Sequence, residues 1–222
     1  MKNLLLIFLL CWLTFFQAKT QQTNVFIGTQ IPVCYSLGIE KGFSDLVALS
    51  LQGGILTSPY DKIILNILKS FGTEDVLVNT VGEAFSHGLV IQVTPTVQTK
   101  RWYGGPFYSF FSLVAKDAPA DLIENYYGVD IPDRIQSRTR ELILTSNLHN
   151  AGILIGRKFD LKTKLELRTE ISFAKTFNSS SKLSTANYDF ENISTSIDEE
   201  LSKYYKDFGY IPSLNLFLAY KF

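Results

Sequence analysis

The last ten residues, S-L-N-L-F-L-A-Y-K-F from Ser213 to Phe222, alternate at every step until the chain ends. Leu214, Leu216, Leu218, Tyr220 and Phe222 fall on one face of an extended strand, and Ser213, Asn215, Phe217, Ala219 and Lys221 on the other. A period of two maintained this long is a strand pattern. Its apolar face needs cover along its whole length, from a second layer of protein or from lipid. Asp45 to Leu56 repeats the pattern, with Val47, Leu49, Leu51 and Ile55 opposing Ala48, Ser50 and Gln52. So does His87 to Lys100, with Leu89, Ile91, Val93 and Val97 opposing Gln92, Thr94, Thr96, Gln98 and Lys100. In Thr163 to Thr176, Leu165, Leu167, Thr169, Ile171 and Phe173 oppose Lys164, Glu166, Arg168, Glu170 and Ser172. These segments exceed the roughly five or six residues of a common soluble strand and match the ~9–11 residues of a membrane-spanning one. Alternation by itself is equally compatible with an antiparallel sheet that has one wet face.

The spacing of the links discriminates further. Lys41–Ser44, Lys100–Trp102 and Asp160–Lys162 read as tight turns, whereas 57–85, 117–139 and 178–210 are long. Strands running up and down then place tight turns at one end and long loops at the other, as in outer-membrane barrels. Seven strands are legible at 33–40, 45–56, 87–100, 102–116, 141–158, 163–177 and 211–222. An even number and a periplasmic start require an eighth, for which Thr23–Thr29 is the candidate. The expected fold is therefore an all-β, eight-stranded antiparallel up-and-down transmembrane β-barrel with short helices in the long loops, Phe222 lying at the periplasmic interface. The helices are expected from Ser58 to Phe71 before Gly72, over Ala120–Tyr127 before Gly128, and from a capping box at Ser196 and Glu199 to Phe208. Tyr35, Phe43, Trp102, Tyr103, Phe159, Phe177, Tyr210, Tyr220 and Phe222 flank strand ends, where an aromatic girdle would sit.

The start of the chain has the form of a secretory leader: Lys2, an apolar run from Leu4 to Phe16, then a polar exit. The run is too short for a spanning helix, which needs ~20 residues. A signal peptide over residues 1–20 is expected, followed by one barrel domain over 21–222. Removing residues 1–20 takes away Lys2 and Lys19, leaving 19 Lys and Arg against 21 Asp and Glu, a net charge of −2 that does not suit nucleic acid. Cys34 is then the single thiol, so no intrachain disulfide is available.

Little in the chain has the spacing of a reactive site. Neither His87 nor His149 belongs to a zinc motif, and no catalytic residue, metal or cofactor is expected. Ser146-Asn147-Leu148-His149 raises a lipid hydrolase as a minor possibility, and the shift of apolar positions across His149 suggests a β-bulge there. Lys164, Glu166, Arg168 and Glu170 share one strand face, with Glu40 and Lys100 on equivalent faces, and read as a lumen charge network. An eight-stranded barrel is just wide enough for side chains to fill.

The final L-x-L-x-L-x-Y-x-F and the leader resemble the small outer-membrane β-barrels of Gram-negative bacteria, and G-G-P-F-Y-S-F-F at 104–111 with A-G-I-L-I-G-R-K-F at 151–159 resembles the Bacteroidetes-type outer-membrane barrel domain. The resemblance implies a cell outer membrane location and contact with outer-membrane lipid. It further implies that Leu214, Leu216, Leu218, Tyr220 and Phe222 form the strand recognised by the barrel-insertion machinery. The expected role is structural or surface-binding, with a surface or envelope protein as the possible partner of the long loops. A small passive channel, a lipid hydrolase and a soluble barrel holding an apolar ligand are the alternatives. Replacing Phe222 by Ser should lower recovery in the outer membrane far more than it changes refolding in detergent; unchanged membrane levels would refute the insertion-signal role.

Overall fold

Strands whose alternation is in phase can pair so that all apolar rows fall on one side of a sheet. Such pairing runs around the whole chain in the computed structural model, which describes residues 22–57, 87–116, 143–184 and 191–222. The expected signal peptide and the expected helices at 58–71 and 120–127 lie outside the described residues. The strands are β1 (Thr23–Ile31), β2 (Cys34–Gly42), β3 (Val47–Leu56), β4 (His87–Gln98), β5 (Trp102–Lys116), β6 (Ile143–Lys162), β7 (Leu165–Ser184) and β8 (Tyr210–Lys221), with one helix, α1 (Glu191–Phe208), before β8. Each strand pairs antiparallel with its neighbours in sequence, and β1 pairs with β8 to close the barrel. Ile27 lies opposite both Leu37 of β2 and Leu218 of β8, so the outward apolar row continues across the seam.

The links after β2 and β4 shift by one or two residues, to 43–46 and 99–101, and the connections differ more from the sequence expectation at three other places. β1 continues past Thr29 to Ile31 and turns through Pro32 and Val33, where Val33 N–H donates to the Gln30 carbonyl. The first link at the loop end is therefore tight, and the strict succession of short and long links begins only after β2. Pro32, with no N–H to give a ladder, sits where none is needed. The β6–β7 turn is Thr163–Lys164 instead of Asp160–Lys162, because Lys162 still pairs with Leu165. The third long loop is also shorter than 178–210, since β7 stays paired with β6 up to Ser184.

The bulge expected at His149 lies on the partner strand. His149 pairs with Asn178 and Asn150 with Thr176, so Phe177 of β7 is the extra residue. β6 keeps its facing throughout. Leu144 and Leu148 point inward while Ile153 and Ile155 point outward, because the inward face of β6 carries leucines at the loop end, interleaved with the buried Ser146 and Asn150. Helix α1 begins at Glu191, five residues before the anticipated cap at Ser196. Ile193, Ile197, Leu201, Tyr204 and Phe208 form one continuous helical stripe in the sequence, which starts upstream of the capping box.

Above Lys175, where pairing with β8 stops, α1 packs beside β7. Asp198 accepts from the Ser181 N–H at 2.6 Å, occupying part of an edge that would otherwise be open. The helix stops at Gly209, whose N–H reaches the Tyr205 carbonyl at 2.8 Å and whose carbonyl accepts from Thr176 N–H at 2.9 Å. A Cβ there would lie 2.1 Å from the Tyr205 oxygen, so only glycine lets helix and strand meet so closely. Within the barrel, Phe26 packs edge-on against Phe217 with ring centroids 5.2 Å apart. The Phe26 ring occupies the space a side chain at Gly38 would need, a Cβ there falling 2.2 Å from it.

Candidate functional site

The most organised polar group in the barrel is the inward face of β7, where Glu166, Arg168 and Glu170 follow one another at alternate positions. Arg168 is 2% exposed and crosses the lumen to β2. Its Nη1 and Nη2 donate to the two oxygens of Glu40 at 2.9 and 2.8 Å, while Nε donates to Glu166 Oε1 at 2.7 Å. This paired-oxygen contact uses the planar fork that distinguishes arginine from lysine. Rings of Phe26 and Tyr103 flank the guanidinium, each centroid 5.7 Å away.

Neighbouring strands supply the remaining partners. Asn24 of β1 donates to Glu40 at 2.9 Å, and Lys158 of β6 stands 3.9 Å from the same carboxylate. Lys221 of β8 lies 2.8 Å from Glu166 and donates to Asp160 at 2.6 Å. Glu170 accepts from the Tyr103 hydroxyl at 2.6 Å and from Asn215 at 3.0 Å. Strands β1, β2, β5, β6, β7 and β8 are thereby joined through one cluster.

Of the residues assigned to this network from sequence, Glu40, Glu166, Arg168 and Glu170 meet in the lumen, and Lys100 and Lys164 do not. Lys100 is exposed in the β4–β5 turn, since the β4 ladder ends at Gln98 and Thr99 N–H instead reaches the Trp102 carbonyl at 2.7 Å. Lys164 is exposed in the β6–β7 turn, its ammonium 5.7 Å from the Tyr220 ring centroid. Their places are taken by Lys158 and Lys221, whose strand parity with Leu154 and Asn215 was the available signal. Tyr103, expected in the aromatic girdle, is buried and inward, one residue out of phase with the exposed Trp102.

Above the charged layer amides and hydroxyls share the lumen with Phe107, Leu154 and Ala174. Gln30 donates to Gln92 at 3.2 Å, Gln92 to Thr94 at 3.1 Å, and Gln52 to Ser36 at 2.9 Å. Cys34, fully buried, donates its thiol to Gln30 at 3.2 Å. Toward the loop end the inward residues become Leu56, Val90, Leu113, Leu144 and Leu148, beside the buried Leu201 and Tyr205 of α1. The cavity between Glu40, Gln92, Tyr103 and Arg168 measures about 10 Å³, room for about one water.

The exterior has the opposite character. Ile27, Leu37, Ile39, Leu51, Ile55, Leu89, Ile91, Ile155, Leu214, Leu216 and Leu218 are exposed, and Ile153 and Ile171 reach 68% and 65%. Trp102, Phe159, Tyr220 and Phe222 border this surface at the turn end, and Tyr35, Phe177 and Tyr210 toward the other. At about 3.4 Å per residue and the tilt of about 40° typical of membrane barrels, the outward row of β8 from Pro212 to Phe222 would rise about 26 Å. That equals the ~25 Å apolar band of a membrane barrel.

His149 lies on this outer wall. Its Nδ1 is bonded to the Tyr108 hydroxyl at 2.6 Å, with the rings of Phe110 and Phe177 5.3 and 6.3 Å from the imidazole. The hydroxyl held by His149 is thus a phenol, where the hydrolase alternative required a serine. The side chain of His87 lies outside what is described.

No protein-family model and no curated protein matches the chain. Among solved structures it is similar to a major outer membrane protein from Thermus thermophilus, at 16% identity over 92% of this chain and 100% of that one, with a TM-score of 0.48. It is also similar to the N-terminal β-barrel domain of Pseudomonas aeruginosa OprF, at 11% identity over 90% and 96%, TM-score 0.42. Acinetobacter baumannii CarO aligns at 13% identity over 92% and 100%, TM-score 0.37.

Replacing Arg168 by Met should lower unfolding free energy by about 3–5 kcal/mol, because Glu40 and Glu166 are left buried with a cation removed. Adding Glu40→Gln to that variant should recover part of the loss. Urea titration in detergent micelles provides the check, and strictly additive losses would contradict the coupling.

Proposed function

We propose that the protein is a cell outer membrane β-barrel whose lumen is closed, with a structural or surface-binding role and no enzymatic activity. The observation that carries this reading is the aliphatic outer wall around a lumen that holds buried ion pairs. Large aliphatic side chains cover the outer wall, and a buried ion-pair and amide network shares the interior with inward aromatics and leucines. A water-soluble barrel that stores an apolar ligand would have a polar outer wall and no ion-pair network across its lumen. Residues 1–20 serve as the export signal in this reading, and the barrel occupies 21–222. Similarity to the Bacteroidetes-type barrels rests on the segments 104–111 and 151–159 alone.

A closed lumen argues against solute passage. The cluster from Glu40 to Glu170 leaves a cavity of only about 10 Å³, and α1 adds Leu201 and Tyr205 to the packed loop end. The long connections after β3, β5 and β7 all leave the end opposite Phe222, where a surface or envelope protein would meet them. Support for that partner is positional, since loops on a rigid scaffold commonly carry recognition.

Two measurements test the reading together. After fractionation, the protein should be recovered in the outer membrane and run at different mobilities before and after heating in mild detergent. In planar bilayers the same material should add no defined conductance steps. Recovery as a soluble periplasmic protein would refute the membrane assignment, and reproducible porin-like steps would refute the closed lumen.

A further inference from the structure

The two ends of the barrel differ in charge. The three long connections, 57–86, 117–142 and 185–209, contain sixteen Asp and Glu against seven Lys and Arg. The turn end is the reverse: Lys41, Lys100, Arg101, Arg157, Lys162 and Lys164 gather there, and the acids outside the lumen are Asp45 and Asp160. Asp160 is already paired with Lys221 at 2.6 Å. Lys41, Lys100 and Lys162 are exposed, and none has a carboxylate within ion-pair distance among the described residues. The lumen network therefore does not consume these cations.

Their direction on the barrel wall indicates what they face. Lys41 has the outward parity of Leu37 and Ile39, and Arg157 that of Ile153 and Ile155, so both continue apolar rows downward. The Arg157 guanidinium is held between two aromatic rings, 5.4 Å from Trp102 and 4.9 Å from Phe159. Lys164 stands over Tyr220. Cations on the side wall, at the lower border of the apolar band and braced by rings, are placed at headgroup depth.

We propose that this rim is a binding belt for anionic phospholipid headgroups of the inner leaflet. The inference rests on the outer-membrane reading above. Arginine offers a phosphate two parallel N–H donors, and the lysines add charge around it. A soluble acidic polymer would be met by cations directed down from the turns; Arg157 and Lys41 instead point sideways into the bilayer border. A basic residue near an anionic membrane surface is worth about fivefold in binding, so a local preference of at least that size is expected.

Trp102 reports on the belt directly. The chain has two tryptophans, Trp12 and Trp102, so a Trp12→Phe background leaves one fluorophore at the site. The full chain is inserted into phosphatidylcholine vesicles containing either brominated phosphatidylglycerol or brominated phosphatidylcholine, and quenching is compared. The expected result is about fivefold stronger relative binding of the anionic lipid. The preference should fall toward unity in about 1 M salt, where the Debye length is about 3 Å. It should also fall in Arg157→Gln and in Lys164→Gln, while Lys203→Gln on α1 leaves it unchanged. Equal quenching by both lipids, with the heat-dependent gel shift intact, overturns the belt and leaves the outer-membrane reading standing. Quenching by neither lipid, with the protein remaining in solution, overturns both. Retention on isolated cell-wall sacculi that Lys100→Gln and Lys162→Gln abolish, without any lipid preference, would assign the cations to cell-wall carboxylates and overturn the belt.

Discussion

Closure of the hydrogen-bond ladder between β1 and β8 is the constraint on which the rest depends. A wall that faces hydrocarbon has no water to satisfy a backbone N–H or carbonyl, so each must find its partner within the sheet. The seam meets this requirement from Asn24 opposite Lys221 to Ile31 opposite Leu214, and the Phe222 N–H reaches the Thr23 carbonyl at 3.1 Å. Once the ring is closed, alternation assigns every side chain to the wall or the lumen. Where β7 rises beyond its pairing with β8, the same requirement reappears, and α1 meets it at Ser181 through Asp198.

Eight strands leave an interior narrow enough to be packed solid, and the chain fills it in layers. Charge lies nearest the turns with the Phe26 and Phe217 rings, amides and hydroxyls above it beside Phe107 and Leu154, and leucines, serines and α1 toward the loops. Buried ion pairs are costly to desolvate, and their gain in stability over apolar packing is small or negative. What the Arg168 fork contributes is geometry: Glu40 of β2 is held opposite Glu166 of β7, from strands 128 residues apart in the chain at the closest bonded pair. The polar interior also separates inside from outside, since a register slip by one residue would turn Arg168 toward lipid.

The barrel was legible because a period of two over ten or more residues survives local irregularity, and because tight links recur at one end. The exceptions have physical causes. Pro32 and Val33 close a turn too short to read as a loop, and β7 continues to Ser184 through residues with little hydrophobic contrast. Lys100 and Lys164 fall outside the network because strand parity ceases to apply beyond the ladder residues Gln98 and Leu165, in the turns. Lys158, Lys221, Tyr103 and Asn215 were available from the same alternation, but their distant strands could be joined to Arg168 only once register was known. The shift of apolar residues around His149 illustrates a further limit. A change of facing and a change in what the lumen contains leave the same mark in the sequence, and only the pairing of His149 with Asn178 separates them.

The most direct test of an apolar wall around a polar, filled lumen is a nitroxide scan along β8 in lipid vesicles, from position 213 to 220, reading collision with oxygen and with a water-soluble nickel complex. Positions 214, 216, 218 and 220 should be open to oxygen and closed to nickel, and 213, 215, 217 and 219 closed to both, in strict alternation. Nickel access at the even positions, or alternation that vanishes, would contradict a barrel whose outer face is lipid.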